Sequence, residues 1–239
     1  MISLKPVIDF HSHILPGIDD GSASLDESIA MLQMAAEQGI THVVATPHFY
    51  PAQDDPKKFL ARRDRAEEKL RREMAKHSGL PEVLVGAEVY YFRGMSQSEV
   101  LPLLTIREKE CIMVEMPHPS WEESIYRDLQ QIHSQFGLVP VIAHIDRYIA
   151  PMRTHRIPER LAQLPVVVQA NAEFLLNKRT SAMALRMIKA GSIHVLGSDC
   201  HNLDSRKPNL GPALQVLHSR AGAEAVAYIC DCGRELLEL

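Results

Sequence analysis

The feature that most constrains this chain is an alternation: short apolar runs rich in Val and Ile recur along its whole length, most of them followed by a loop and then a helical pattern. Strands are predicted at Pro6–Phe10, Thr41–Thr46, Glu82–Ala87, Cys111–Val114, Leu138–Ala143, Val166–Ala170 and Ile193–Ser198, seven in all. Helices are predicted over Ser24–Gly39, Pro56–His77, Glu122–Gln135, Thr180–Ala190, Pro208–Leu217 and Ala221–Leu237. The first of these carries its own start and stop. The Ser24 hydroxyl can cap a free amide, Glu27 can reach back, Leu25, Ile29, Leu32 and Ala36 share a face, and Gly39 ends the helix. Strands joined by helical crossovers make a parallel sheet, so the fold class is α/β. Seven units suggest a distorted (β/α)7 barrel of the TIM-like kind, with an open doubly wound sheet as the alternative.

A chain of 239 residues, 46% hydrophobic, can bury one large core, and no linker or low-complexity tract divides it, so residues 1–239 read as a single domain. The charged stretch from Asp54 to Lys76 reads as a solvated helix face. The first residues do not read as a signal peptide, and no run approaches the roughly 18 apolar residues of a membrane helix, so no membrane insertion is expected. Four cysteines, Cys111, Cys200, Cys230 and Cys232, are too few and too irregular for a disulfide framework, which fits the cytoplasm. A net charge of −4 gives no general attraction to nucleic acid or anionic membrane; any affinity for phosphate must be built locally.

Acids and imidazoles stand at the carboxyl ends of the predicted strands. They are Asp9, His11 and His13 after the first, His48 after the second, Glu88 after the third, Glu115 after the fourth, His144 after the fifth, and Asp199 and His201 after the seventh. In a parallel barrel these ends open on one face, where such folds place their chemistry. His11 and His13 alternate around Ser12, so on an extended strand both leave on the same side and can grip one ion. Imidazole and carboxylate donors suit Zn, Mn or Fe, and the set exceeds what one tetrahedral ion accepts, so more than one ion is implied. Each residue alone has a plainer reading, His144 as a satisfied core histidine, Glu88 or Glu115 as a paired acid. Gathering six or more ionisable groups without counter-charge would cost several kcal/mol each, which favours cations.

These residues resemble the polymerase-and-histidinol-phosphatase (PHP) superfamily. The resemblance is carried, in order from Ile8 to Arg206, by His11-Ser12-His13, Pro16-Gly17-Ile18-Asp19-Asp20-Gly21, Ala45-Thr46-Pro47-His48, Gly86-Ala87-Glu88, Glu115-Met116-Pro117, His144 and Ser198-Asp199-Cys200-His201-Asn202. The Asp-Asp-Gly segment points within it to the manganese-dependent protein-tyrosine phosphatases of bacterial capsule and exopolysaccharide loci. The resemblance implies two or three divalent ions, manganese first, with iron or zinc as alternatives. By analogy His11, His13, Glu88 and Asp199 would hold one ion, Glu88 would bridge to a second held by Glu115 and His144, and Asp20, His48 and His201 would hold the third. Arg147 and Arg206 match phosphate-binding arginines, and Asp20 could protonate the leaving oxygen. Where the family usually shows His-Pro-Glu-Arg, this chain has His144-Ile145-Asp146-Arg147, a loop without the proline and with an acid one carbon shorter. The implied reaction is attack of metal-activated water on phosphorus, without a phosphoenzyme. The implied substrate is a phosphotyrosine-bearing protein, the tail of a bacterial tyrosine kinase, with no nucleic-acid partner.

Five residues separate Cys200 from Arg206, the spacing of a thiol phosphatase loop, but the segment lacks the glycines of a phosphate cradle and the spacing reads as accidental. His42 and His194 read as packing or surface groups, Cys230-Asp231-Cys232 as a helix end, and Met31, Met34 and Met187 as core filler. His118 could line the mouth of the site, and Trp121 with Tyr90, Tyr91 and Phe92 could form an aromatic rim, with ordinary burial as an equal reading. Two rival functions are a small-metabolite phosphatase, acting for example on histidinol phosphate, or a nuclease-like phosphodiesterase of the same fold, and an inactive metal-binding regulatory module.

Overall fold

Pro47 and Gly86 decide how the sheet passes the centre of the molecule. The computed structural model describes residues 6–107, 109–117, 121–149 and 156–239; His118 lies outside the described residues. Strand β1 (Ile8–Ser12) pairs in parallel with β2 (His42–Ala45). Proline has no N–H to give a ladder, and at Pro47 the second strand breaks, resuming as β3 (His48–Phe49). The third strand breaks likewise at Gly86-Ala87, between β4 (Glu82–Val85) and β5 (Glu88–Tyr90). Bonds from Thr46 N–H to Ser12 O (2.8 Å), Gly86 N–H to Ala45 O (2.8 Å) and Glu88 N–H to Pro47 O (3.0 Å) carry the ladder across the breaks. Two strands expected to be continuous are therefore each two short ones, and His48 and Glu88 open the second pieces as register partners.

Beyond β5 the sheet continues in parallel through β6 (Cys111–Glu115), β7 (Val139–Ile142), β8 (Val167–Asn171) and β9 (Val195–Gly197). It then curls back on itself. Asp199 N–H donates to His11 O at 2.8 Å, His13 N–H donates to Cys200 O at 2.9 Å, and Ser12 and Cys200 form a parallel bridge. The expected distorted barrel of seven strand positions is thus the observed architecture, and the open sheet is not.

Helices α1 (Leu25–Glu37), α2 (Pro56–Met74) and α3 (Glu123–Phe136) follow the sequence periodicity. Ser24 Oγ accepts from Glu27 N–H at 3.2 Å, while Glu27 reaches back to Ala23 N–H at 2.8 Å, the reciprocal cap read from the sequence. On α2 the charged stretch is only partly a solvated face. Arg63 and Glu67 are buried, and Arg63 donates to Gly86 O and Leu103 O, each at 3.3 Å, bracing the break in the third strand.

Three helices escaped the periodicity, α4 (Asp146–Ile149), α5 (Ile157–Leu161) and α6 (Ala172–Leu176), because one turn of helix offers no repeat to detect. The chain closes with α7 (Ser181–Lys189), α8 (Leu210–Ala221) and α9 (Ala223–Leu237). Cys230-Asp231-Cys232 lies inside α9 rather than at a helix end. On β1, Ile8 and Phe10 pack toward α9, where Gly233 leaves room: a Cβ there would lie 2.8 Å from Phe10. The intervening Asp9 and His11 leave on the opposite side of the strand.

Candidate metal centre

The segment Pro16 to Gly21 folds back over the end of β1 and sets His13. Gly21 packs so closely that a Cβ on it would stand 2.2 Å from His13 O, so no larger residue fits there. Asp19 Oδ2 then takes the Nδ1 proton of His13 at 2.8 Å and the backbone N–H of His48 at 3.0 Å, tying the first strand end to the second. The Asp-Asp-Gly motif therefore supplies an orienting acid, an exposed acid and the space for both.

Glu88, 1% exposed, is the hub. Its Oε2 lies 3.2 Å from His11 Nε2, 3.4 Å from His13 Nε2 and 3.0 Å from His48 Nδ1, and its Oε1 lies 2.8 Å from His144 Nε2. His11 Nε2 and His13 Nε2 are 3.2 Å apart. Asp199 Oδ1 stands 3.5 Å from both of these nitrogens. Glu115 Oε1 is 3.7 Å from His144 Nε2. Asp20 Oδ1 is 3.4 Å from His48 Nε2 and 3.5 Å from His201 Nε2.

All nine residues singled out as candidate ligands in the sequence thus converge, although they come from six different strand ends and one loop. Three sets have donor atoms within 4.8 Å of one another: His13, Asp20, His48 and His201; His11, His13 and Glu88; His48, Glu88 and Glu115. These sets differ from the grouping implied by resemblance: His13 belongs to two of them, His48 joins Glu88 and Glu115 as well as Asp20, and Asp199 and His144 fall in none.

The electrostatics are those of a cation site. Burial opposes charge on His11 and His13, yet both are raised, His11 by Glu88 and Asp199, His13 most strongly by Asp19. Burial likewise opposes the carboxylates, but imidazoles hold Glu88 and Asp199 well below the usual range and hold Asp19 at about 2. Glu115 is raised by burial and by Glu88, and His201 is lowered to about 4 by burial and by His13. Five buried atoms of the cluster have no hydrogen-bond partner: His48 Nδ1, Glu88 Oε2, Glu115 Oε2, His144 Nδ1 and His201 Nε2. Unsatisfied buried polar atoms cost about 1–3 kcal/mol each, and oxygen and imidazole donors left open together suit divalent metal ions.

Arg147 and Arg206 both reach Asp199 Oδ2, at 2.5 and 2.9 Å, and each is more than a third exposed. At the Ile145-Asp146 departure the chain turns into the short helix that carries Arg147. Ile145 is buried, and Asp146 Oδ1 accepts the Asn171 N–H at 2.9 Å, which seats the short helix that carries the arginine. Asp20 stands at the opening, 65% exposed, with Arg206 3.9 Å away. Cys200 is 2% exposed, and burial, then Asp9, push its thiol well above the ordinary value. A thiol so placed is a poor nucleophile.

Of the two readings of the aromatic residues, burial holds for Trp121 and Tyr91, their polar atoms donating to Pro117 O at 3.2 Å and Asp128 Oδ2 at 2.7 Å. Beside the cluster stands Tyr50, stacked on His48 at 5.1 Å, with the expected Tyr90 6.0 Å beyond it. His42 and His194 stay outside the cluster, bonded to Thr41 Oγ1 at 2.9 Å and Val168 N–H at 3.0 Å. Sequence reasoning gave no site role to Asp19, Tyr50, Gln169 or Asn171. The last two were detectable as amides on the inward side of an otherwise apolar strand; Asp19 was marked by the Asp-Asp-Gly segment but given no role, and Tyr50 carried no signal.

A family model described as capsular polysaccharide synthesis, CpsB/CapC, matches residues 7–237. The tyrosine-protein phosphatase YwqE of Bacillus subtilis is 31% identical, aligned over 97% of this chain and 91% of its own length. The tyrosine-protein phosphatase CpsB of Streptococcus pneumoniae is 27% identical over 91% of this chain and 92% of its own. A crystal structure from the work on these two proteins, described there as unique metal-dependent tyrosine phosphatases, superimposes with a TM-score of 0.85 at 26% identity, covering 97% of this chain and 94% of that one. Matched over nearly its whole length, with its polar strand ends gathered as the sequence required, the chain belongs to the CpsB/CapC family of capsular polysaccharide synthesis.

Proposed function

We propose that this protein is a metal-dependent protein-tyrosine phosphatase that hydrolyses phosphotyrosine on a protein substrate, the tail of a bacterial tyrosine kinase of polysaccharide synthesis, at the cytoplasmic side of the membrane. No described helix is long and apolar enough to cross a membrane. The observation that carries the reading is the convergence of nine acid and imidazole side chains, with five buried donor atoms left open among them. His11, His13, Asp20, His48, Glu88, Glu115, His144, Asp199 and His201 would hold the ions, manganese first and iron or zinc as alternatives. Bound there, such ions would supply the Lewis acidity that activates water and offsets charge on the phosphoryl oxygens.

The chain's own groups account for the rest. Arg147 and Arg206, held together by Asp199, present two guanidinium forks at the opening, and a phosphate dianion can recruit their outer N–H groups. Asp20, exposed beside Arg206, would hand a proton to the leaving oxygen when not engaged by an ion. Asp19 keeps the Nδ1 proton of His13 in place, so that Nε2 faces the cluster. Tyr50 and Tyr90 offer ring faces against which the aromatic ring of the substrate can pack. The buried Cys200 supplies no thiolate.

Phosphate release from a phosphotyrosyl peptide, measured with chelator and after manganese is added back, tests the reading. Histidinol phosphate and a single-stranded oligonucleotide serve as competing substrates. Release that is insensitive to chelator, or a preference for either competitor, would overturn it. Binding to a kinase tail with no phosphate released in manganese would favour a regulatory module.

A further inference from the structure

Two side-chain amides on β8, Gln169 and Asn171, touch three members of the cluster without belonging to any of its donor sets. Gln169 is fully buried, and its Oε1 faces two nitrogens, the backbone N of His144 at 2.6 Å and Nδ1 of His11 at 3.3 Å. Its Nε2 donates to Asn171 Oδ1 at 3.1 Å, and Asn171 Nδ2 donates to Asp199 Oδ2 at 3.0 Å.

Carboxamide orientation and imidazole tautomer are ordinarily ambiguous, but here both ends of the series are fixed. A backbone N–H can only donate, so the atom facing His144 N–H is the oxygen of Gln169. At the other end Asp199, ion-paired with Arg147 and Arg206, can only accept. The amides must therefore run in one direction. An oxygen facing His11 Nδ1 obliges that nitrogen to carry the proton, which leaves the Nε2 of His11 turned toward Glu88.

The same two amides fasten the strained parts of the site. His144 and Asp199 have φ of 33° and 53°, in the left-handed region that residues with a Cβ seldom occupy. Such conformations persist where the surroundings over-determine them. Gln169 grips the backbone of the first and Asn171 the carboxylate of the second. Gly197, the register partner of Asn171, keeps the space open: a Cβ there would lie 2.5 Å from His11 Cβ and 3.0 Å from Gln169 Nε2.

We infer that Gln169 and Asn171 are positioning residues that select the Nδ1-protonated form of His11 and hold His144 and Asp199 in place, and so set the affinity of the centre for divalent ions. The inference rests on the cluster's being a metal centre. It is tested on the full chain with Gln169→Leu and Asn171→Ala. Manganese binding is followed by the electron paramagnetic resonance of the free ion, and the histidines of the zinc-loaded protein by nitrogen-15 NMR.

Orienting partners of this kind alter metal affinity by about 10–100-fold. Gln169→Leu is therefore expected to weaken manganese binding at least about tenfold, and Asn171→Ala by a smaller factor. In the zinc-loaded parent, His11 should coordinate through Nε2 and keep its Nδ1 proton. If the parent binds no manganese, the metal centre itself is refuted and this inference with it. If the parent binds but both variants bind as tightly, or His11 coordinates through Nδ1, the positioning role fails while the metal centre stands. Lower melting temperatures with unchanged manganese affinity would mark the amides as merely structural. Should Gln169→Leu fail to fold, Asn171→Ala, nearer the surface, decides the question by the same readings.

Discussion

Replacing Glu88 by Gln keeps the size of the side chain and removes one charge from the middle of four imidazoles, those of His11, His13, His48 and His144. In the metal-free protein the two electrostatic effects oppose each other, because the burial cost of a carboxylate is relieved while its attraction to the imidazoles is lost. The loaded protein has no such compensation. A divalent ion shared between Glu88 and these nitrogens lies within about 4 Å of the carboxylate, where its two charges interact with the one by about 8 kcal/mol at an effective dielectric of about 20; with about half of that offset by the amide oxygen as a neutral ligand, about 4 kcal/mol is lost. That is about a thousandfold in Kd. At a manganese concentration about 1,000 times the parent's Kd, binding stabilises the parent by about 4 kcal/mol; the variant, at a concentration near its own Kd, gains only about 0.4 kcal/mol. Thermal melts with manganese and with chelator would show this directly, as a large manganese-induced rise in Tm for the parent and almost none for Glu88→Gln. An equal rise in both proteins would refute the placing of Glu88 at the hub of a cation site.

Cys200→Ser should leave turnover within about twofold while costing about 1–3 kcal/mol of stability, since a hydroxyl replaces a thiol in a buried position; loss of turnover with metal content intact would reinstate a thiol mechanism. Arg147→Lys and Arg206→Lys exchange a fork for a point charge, so the KM for a phosphotyrosyl peptide should rise about tenfold in steady-state assays; an unchanged KM would remove that arginine from phosphate binding. In the metal-free protein the pairing of Asp19 with His13 lowers the Asp19 carboxyl from 3.8 to about 2. Because the folded value lies below the unfolded one, the contribution, about 2 kcal/mol, is present above about pH 4 and lost as pH falls toward 2. Melting temperature against pH should accordingly fall less steeply over that window in Asp19→Asn, and parallel curves would contradict the pairing. Gly21→Ala should disrupt the site, its Cβ meeting His13 O at 2.2 Å; a variant with normal manganese affinity would show that the loop can move away.

Much of this protein was legible in one dimension. Strand alternation with polar strand ends fixed the class of fold and named eight of the nine residues that meet, Asp20 entering only through the family resemblance, because a parallel barrel sends every strand's carboxyl end to the same rim and chemistry of this kind tolerates few side-chain types. The cap at Ser24 was equally local, a matter of residues three apart. What sequence could not supply was anything that depends on distance between strands. The breaks at Pro47 and Gly86, which aim His48 and Glu88, are visible only once neighbouring strands show where the ladder resumes. Whether Tyr91 or Tyr50 lines the site turns on burial against Asp128, a residue far along the chain. The sharing of His13 between donor sets, and the one-way run of amides from His144 to Asp199, arise from side chains on separate strands whose orientations constrain one another. Residue identity settles which donors exist; only packing in three dimensions settles which atom of each is free, because a hydrogen bond on one side of an imidazole or carboxylate decides what its other side can hold.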